Sequence, residues 1–397
     1  MIIKPKTRGF ICTTAHPIGC KKHVAEQIET IKSQYSHLEK DQDIPKNVLI
    51  IGCSTGYGLA SRIAASFGYG AKTLGVMFEK EPTEKRTASA GWYNNQAFEA
   101  FAKESGYFVK TLNIDAFSQT AKEQVIEEAR SHLDKIDLVI YSLASPRRKD
   151  PFSGVVYSST LKPIQDTVTR KTLDTDKKVV HDVTLEPASL DEISQTIKVM
   201  GGEDWELWIN ALLEAELLSQ NVKTTAYTYI GKELTWPIYG KATIGKAKED
   251  LDRAAAALNA RLKEKVNGQA HVSVLKAVVT QSSSAIPVMP LYISLLFKVM
   301  KEQGSHEGCI EQAGKLFEHL YANKTLSLDD SQRIRVDLPE LEDKVQNAVE
   351  QLWQEVNTEN LDELSDFSGY QEEFFKLFGF GLKNVDYEQD VDPRVID

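Results

Sequence analysis

Between Val48 and Val279, six short apolar runs alternate with longer stretches whose apolar residues recur every three to four positions. The short runs (Val48–Gly52, Thr73–Glu79, Tyr107–Ile114, Asp137–Leu143, Lys223–Ile230 and His271–Val279) have the length and side-chain type of strands. The longer stretches (Tyr57–Ser66, Tyr93–Glu104, Thr120–His132 and Thr243–Lys265) have helical periodicity. A strand that leads through a helix to the next strand returns parallel to it, so the alternation predicts a parallel sheet. Val48-Leu-Ile-Ile and Leu138-Val-Ile-Tyr are apolar at consecutive positions, as strands covered by helices on both faces are. The expected fold class is α/β, a doubly wound parallel sheet.

Three segments stand outside that alternation. Residues 1–46 combine a short apolar start with a helix near Lys21–Gln34. Residues 145–198 are rich in Thr, Lys, Asp and Pro and read as hairpins and loops. They are too long for a plain connection in a compact domain, which suggests a lid-like insertion. Residues 305–397 are mostly helical and end in an acidic tail. No internal repeat is present, so one core with elaborations is expected rather than separable domains.

The balance of 47 basic and 57 acidic residues, a formal charge of −10, argues against nucleic acid or an anionic membrane as the main partner. Cys12, Cys20, Cys53 and Cys309 are few and unpatterned, as in a reducing cytoplasm. Cys12, His16, Cys20 and His23 follow at spacings of four, four and three, which could suggest zinc. Structural zinc sites more often pair their ligands as knuckles, so loop and helix-start residues are the expected reading and no metal is assigned. The start, Met1-Ile-Ile-Lys-Pro-Lys, lacks the apolar stretch of a signal peptide. Ala285–Phe297, the most apolar segment, contains Pro287 and Pro290 and is shorter than a membrane span. A soluble cytoplasmic protein is expected.

The first strand runs into Gly52-Cys-Ser-Thr-Gly56-Tyr-Gly58 and then a helix. Glycine is required where a chain turns tightly under a pyrophosphate and where helix and strand backbones nearly touch. The helix N-terminus then offers N–H groups to negative charge. Glu79 ends the second strand 21 residues after Gly58, where a carboxylate can accept from the adenosine ribose hydroxyls. An acid there repels a 2′-phosphate and favours NADH over NADPH. The looser Gly-x-x-x-Gly-x-Gly spacing resembles that of short-chain dehydrogenases/reductases. Asp115-Ala116 and Ser142-Leu-Ala-Ser145, at the ends of the third and fourth strands, agree with that likeness.

A reductase must also stabilise the oxygen that turns negative when hydride arrives. A tyrosine hydroxyl beside a lysine ammonium suits this, the ammonium lowering the phenol's pKa. Tyr239 and Lys248 are candidates, nine residues apart where short-chain reductases usually have four. At about 100° per residue, nine residues put the two on opposite helix faces, whereas Lys246 aligns with Tyr239. Either Tyr239 precedes the helix, with Gly240 letting the chain turn, or Lys246 is the partner.

Longer stretches make the resemblance specific. Tyr227-Thr-Tyr-Ile-Gly, Trp236-Pro-Ile-Tyr239 and Gly245-Lys-Ala-Lys248 are similar to the V-type enoyl-acyl-carrier-protein (ACP) reductases and the related trans-2-enoyl-CoA reductases. So are Gly91-Trp-Tyr-Asn-Asn95, Tyr141-Ser-Leu-Ala-Ser-Pro146, Val199-Met-Gly-Gly-Glu-Asp-Trp205, Ala285-Ile-Pro-Val-Met-Pro-Leu-Tyr292 and His306-Glu-Gly-Cys-Ile-Glu-Gln312, so the likeness runs essentially the whole length. It implies a Rossmann-type, NADH-dependent, generally monomeric enzyme that saturates the carbon–carbon double bond of an enoyl thioester, the last step of type II fatty acid elongation. It carries the catalytic pair over to Tyr239 and Lys248 and the substrate-contacting tyrosine to Tyr229. The implied cofactor shell is Gly52, Cys53, Ser54, Thr55, Gly56 and Tyr57, then Phe78 and Glu79, Asp115 and Ala116, Leu143 and Ala144, Lys248, and Val278, Val279 and Thr280.

On that reading residues 1–46 are an N-terminal extension and 47–144 the dinucleotide-binding half. Residues 145–198 are an insertion near the active site, 199–304 the catalytic half with an acyl-site helix, and 305–397 a C-terminal helical extension. Met289, Leu291, Tyr292, Leu295, Leu296 and Phe297 read equally as an acyl slot or as a buried core helix. An acidic carrier protein would land on Arg147-Arg-Lys149, or on Lys298 and Lys301. The rivals are a crotonyl-CoA reductase of short-chain acid metabolism, a carbonyl or alcohol dehydrogenase, and a non-catalytic NADH sensor.

Overall fold

Val48, Leu49, Ile50 and Ile51 are all fully buried, but they do not share one core. Val48 and Ile50 join one apolar cluster and Leu49 and Ile51 another, as consecutive residues must in a strand sandwiched between two helical layers. Leu138 and Ile140 divide from Val139 and Tyr141 in the same way. The computed structural model describes residues 1–35, 44–322 and 326–396.

A small antiparallel pair, β1 (Thr7–Arg8) and β2 (Ile11–Cys12), leads into α1 (Pro17–Tyr35). The first half follows: β3 (Asn47–Ile51), α2 (Gly56–Ile63), β4 (Lys72–Met77), α3 (Ala90–Glu104), β5 (Val109–Asn113), α4 (Gln119–His132) and β6 (Ile136–Tyr141). Two hairpins come next, β7 (Arg147–Lys149) with β8 (Val156–Ser158) and β9 (Val168–Asp174) with β10 (Val179–Leu185). The second half contains α5 (Leu190–Met200), α6 (Glu203–Glu214), β11 (Leu218–Thr228), α7 (Thr243–Val266), β12 (Gln269–Val274), the single turn α8 (Gln281–Ser284) and α9 (Met289–Glu302). The remainder contains α10 (Cys309–Phe317), β13 (Ile334–Arg335), α11 (Leu338–Leu341), α12 (Asp343–Glu355), α13 (Leu361–Leu364) and α14 (Phe367–Lys376).

The main sheet has the order β5-β4-β3-β6-β11-β12-β13, and every pairing in it is parallel. The order reverses between β3 and β6, and the loops leaving these strands diverge to open a crevice at their carboxyl ends. The sequence predicted six of the seven strands. Two-residue β13 is too short to leave a periodic signal. The run expected as His271–Val279 pairs only as far as Val274. Ala277 and Val279 stay buried by joining the cluster around α9, so their apolarity reflects that packing and not a ladder.

In α9 nearly every side chain from Met289 to Val299 is buried, against α12, α14 and the β9–β10 hairpin. Met289, Leu291, Tyr292, Leu295, Leu296 and Phe297 are therefore core, the plainer of the two readings. Within the insertion, the β9–β10 hairpin is anchored to the C-terminal helices. Lys171 on β9 donates to the carbonyls of Trp353, Gln354 and Val356, each at 2.9 Å, capping the C-terminal end of α12 from another element. Helix α5 runs across the 198/199 boundary drawn from sequence. Among the described residues no helix is long and apolar enough to cross a membrane, and no three His, Cys, Asp or Glu side chains converge as a metal set.

Candidate active site

Strand β3 ends in the glycine-rich turn that opens α2. Gly52 has φ +88° and Gly56 φ +52°, conformations in which an L side chain is strained. A Cβ on Gly52 would lie 2.1 Å from the Ser142 carbonyl oxygen after β6. A Cβ on Gly58 would lie 1.8 Å from the Gly52 carbonyl oxygen, so helix and strand backbones do meet here. Thr55 precedes α2 without capping it, which leaves the helix end suited to an outside anion.

The turn is buttressed from α3. Asn95 Nδ2 donates to the carbonyls of Cys53 (3.4 Å) and Gly91 (2.8 Å), and Asn94 Nδ2 donates to that of Ser54 (3.3 Å). Buried Arg62 donates to Asn95 Oδ1 (2.9 Å) and Thr111 Oγ1 (2.7 Å). The Cys53 thiol faces this network, 3.3 Å from Asn95 Oδ1, so Cys53 can offer a cofactor only its backbone. The Tyr57 hydroxyl donates to the Lys276 carbonyl at 2.8 Å.

At the end of β4, Asn113 grips Glu79: the Glu79 amide donates to Asn113 Oδ1 (2.8 Å) and Asn113 Nδ2 to the Glu79 carbonyl (3.0 Å). The Glu79 carboxylate accepts from Ser89 Oγ and lies over Gly91, where a Cβ would come 2.3 Å from Oε1. That accounts for the glycine in Gly91-Trp-Tyr-Asn-Asn95. Phe78 beside it is 75% exposed. Asp115 Oδ1 accepts from the Phe117 amide (3.0 Å), and the Ala116 carbonyl accepts from Trp208 Nε1 (3.1 Å). Leu143 and Ala144 follow β6 at the surface, and Val278 and Val279 are buried after β12. Thr280 Cγ2 would lie 3.4 Å from a Cβ on Gly56. These residues all leave the carboxyl ends of β3, β4, β5, β6 and β12, along one rim of the sheet.

Tyr239 lies in the turn before α7, its amide donating to the Thr235 carbonyl at 2.9 Å, so its distance from Lys248 is not measured along one helix. Ala242, extended at φ −129° and ψ 175°, separates that turn from the helix. From α7, Lys248 Nζ reaches the Tyr227 carbonyl at 3.1 Å, whereas Lys246 turns outward to the Glu249 carboxylate at 2.7 Å. The expected lowering of the phenol is not observed. Burial pushes Tyr239 up, and only a hydrogen bond from the Tyr229 amide opposes it. Burial also pushes the Lys248 ammonium down to about 8, with Asp252 opposing.

The Tyr229 and Tyr239 rings meet edge to face, centroids 5.0 Å apart. The Tyr229 hydroxyl donates to Glu340 Oε1 (3.0 Å), as does that of Tyr292 (2.8 Å), while the Ala277 amide donates to Oε2 (2.6 Å). Glu340 is fully buried and was not found from sequence. It lies in Asp337-Leu-Pro-Glu340, just after the two-residue β13, where no periodicity marks it. Around Tyr239 the half-buried apolar groups are Leu161, Met200, Tyr229 and Ile286, which makes these the candidate acyl wall in place of the α9 side chains. Arg148, expected in an exposed basic patch, is 2% exposed and donates to the Lys198 carbonyl (2.7 Å) and Glu203 (2.9 Å). Only Arg147 and Lys149 of that triplet face solvent.

The family model for the trans-2-enoyl-CoA reductase catalytic region matches residues 86–321. The chain belongs to the trans-2-enoyl-CoA reductase family. The model for that family's NAD(P)H-binding domain matches residues 2–84. Curated relatives include the enoyl-acyl-carrier-protein reductases (NADH) of Pseudoalteromonas atlantica, 62% identical over 98% of both chains, and Colwellia psychrerythraea, 59% identical over 100% of this chain and 98% of that one. Similar solved structures include the Treponema denticola trans-2-enoyl-CoA reductase in complex with NAD (TM-score 0.95, 49% identity, covering 99% of this chain and 98% of that one). Another is the Clostridium acetobutulicum trans-2-enoyl-CoA reductase in complex with NADH (TM-score 0.94, 42% identity, 100% of both chains).

A third model, described as an enoyl reductase FAD-binding domain, matches residues 328–391. A flavin nucleotide does not fit this segment of the trans-2-enoyl-CoA reductase fold. Its helices begin with carboxylates (Asp337, Glu342 and Asp343, Asp362, Asp366), which repel a pyrophosphate, and their apolar faces are taken up by α9. The turn at Gly52–Gly58 has the opposite character and fits a dinucleotide.

Proposed function

We propose that this protein is an NADH-dependent reductase of trans-2-enoyl thioesters, with the carrier-protein thioester as its main substrate and the CoA thioester as a second. The observation that carries the reading is Tyr239, 7% exposed and walled by apolar side chains at the same rim as the glycine-rich turn. NADH, when bound, supplies the hydride that adds to the β-carbon. The Gly52–Gly58 turn and the start of α2 hold the pyrophosphate. Glu79 accepts from the adenosine ribose and disfavours a 2′-phosphate, and Lys248 holds the nicotinamide ribose. As the double-bond electrons move toward the thioester oxygen, the Tyr239 hydroxyl donates to that oxygen, and a proton from tyrosine or water completes the α-carbon. A phenol pushed up by burial remains protonated at neutral pH, as a donor must.

Following NADH consumption with crotonyl-CoA, a longer enoyl-ACP and a simple ketone, each repeated with NADPH, tests the reading. Both thioesters should be reduced with NADH preferred. Turnover of the ketone alone, or NADH binding without turnover, would replace it with a dehydrogenase or a sensor. A cytoplasmic monomer belongs to the same reading, and sedimentation of the purified enzyme checks the oligomeric state.

Lys248 gives the reading a pH signature. Its ammonium loses its proton near pH 8 in the free enzyme, so NADH affinity should be full below that pH and weaken as pH rises through it. NADH titrations between about pH 6.5 and 9.5 would show this slope, and Lys248→Gln should be weak and flat throughout.

Carrier recognition rests on β7. Arg147 and Lys149 are exposed there, and Phe152, Val155 and Val156 are exposed along the same hairpin. Changing both cations to alanine should raise KM for carrier-bound substrate about fivefold at low salt and leave that for an uncharged enoyl-pantetheine unchanged. Equal effects on both substrates would reject the patch.

A further inference from the structure

Glu340 is a buried carboxylate on which three donors converge, two of them phenols, and the mechanism above makes no use of it. The direction of each hydrogen bond can be fixed from its neighbours. Gln346 Nε2 donates to the Glu340 carbonyl (2.8 Å) and to the Tyr292 hydroxyl oxygen (3.0 Å), so the Tyr292 proton is the one that goes to Glu340 Oε1. The Ala277 amide can only donate, so Oε2 accepts. Thr235 spends its own proton on the Lys232 carbonyl and lies 3.5 Å from the Tyr229 hydroxyl, against 3.0 Å to Glu340. The Tyr229 proton therefore also points to Oε1. Oε1 accepts from both phenols and Oε2 from the amide, so in this arrangement both phenol protons are spent on Glu340. Burial pushes Glu340 up, while buried Lys276, the Ala277 amide and the two phenols oppose it. Lys276 Nζ is fixed by the carbonyls of Ala277 (2.9 Å) and Glu307 (3.1 Å).

A phenol has one proton. With that of Tyr229 committed to Glu340, Tyr229 can present only lone pairs to the cleft. Tyr239 differs, because Glu340 takes the protons of Tyr229 and Tyr292 and not that of Tyr239, whose ring meets Tyr229 only edge to face. We propose that Glu340 is a positioning residue that holds Tyr229 as an acceptor and leaves Tyr239 as the one phenol of the pair able to donate to the thioester oxygen. The inference rests on the reading of Tyr239 given above and assigns Tyr229 a role opposite to a second oxyanion donor.

Glu340→Gln tests it. The amide oxygen would stay on the Ala277 N–H, so the amide nitrogen would face the phenols and turn the Tyr229 proton toward the cleft, a donor competing with Tyr239. Turnover of crotonyl-CoA should fall at least about tenfold with NADH affinity within about twofold. Tyr229→Phe alone should lower turnover by less than about tenfold, because no donor to the substrate is lost. In the double variant the competing hydroxyl is absent and turnover should return to the Tyr229→Phe level. An equal loss from Glu340→Gln in both backgrounds would overturn the proposal, as would loss of NADH affinity in proportion to turnover, which would mean that Glu340 merely holds the Ala277–Thr280 segment. If Glu340→Gln does not fold, Tyr229→Phe still decides, since a loss matching that of Tyr239→Phe would make Tyr229 a donor. Near-normal turnover in Tyr239→Phe would remove the underlying reading of Tyr239 instead, whatever Glu340 does.

Discussion

Tyr239→Phe is expected to lower turnover about a hundredfold to a thousandfold and to change NADH affinity less than about threefold. One well-aimed donor to a developing oxyanion contributes about 3–4 kcal/mol in other enzymes, because it acts on charge absent from the ground state. The substitution keeps the ring, its edge-to-face contact with Tyr229 and its apolar walls. It removes a single buried hydroxyl, so stability should change by only about 1 kcal/mol. Stopped-flow turnover with saturating crotonyl-CoA, paired with NADH fluorescence titration, separates the two effects. Turnover near the wild-type rate would mean that another group carries the oxyanion.

Gly58→Ala should be the most damaging change to the cofactor half. The new Cβ would come 1.8 Å from the Gly52 oxygen and 3.0 Å from its carbonyl carbon, and both are backbone atoms with no rotamer to relieve them. Helix α2 cannot simply retreat. Its Ser61 hydroxyl is 2.6 Å from that of Tyr227, and its Arg62 is tied to β5. The turn must deform, so NADH affinity should fall more than about tenfold and stability by about 1–3 kcal/mol, read by titration and by urea unfolding. Unchanged NADH affinity would show that the turn does not carry the pyrophosphate.

Strands β3 and β6 were legible because each carries a run of consecutive apolar residues, as a doubly covered strand requires, whereas edge strand β5 does not. The glycine turn was legible for a related reason, since close backbone contacts admit no other residue. Elsewhere local pattern and tertiary cause separated. Ala277 and Val279 are as apolar as strand residues, but their burial comes from the α9 cluster. Arg148 looks like a surface cation in a run of three, and only the fold reveals Glu203 and the Lys198 carbonyl across from it. Bare helical spacing favoured Lys246, and only the resemblance favoured Lys248. Extended Ala242, which separates the turn holding Tyr239 from α7, removes the periodicity on which that comparison relied. Glu340 lay beyond any sequence signal, because its partners stand 48 to 111 positions away and come from three different segments.

The single ammonium at Lys171 has a consequence for the hairpin that carries it. Lifting the β9–β10 hairpin would leave three carbonyls and one cation without partners together, at about 1.5–3 kcal/mol for each charged hydrogen bond. The β9–β10 hairpin is therefore expected to stay docked against α12 as a fixed wall instead of opening on its own.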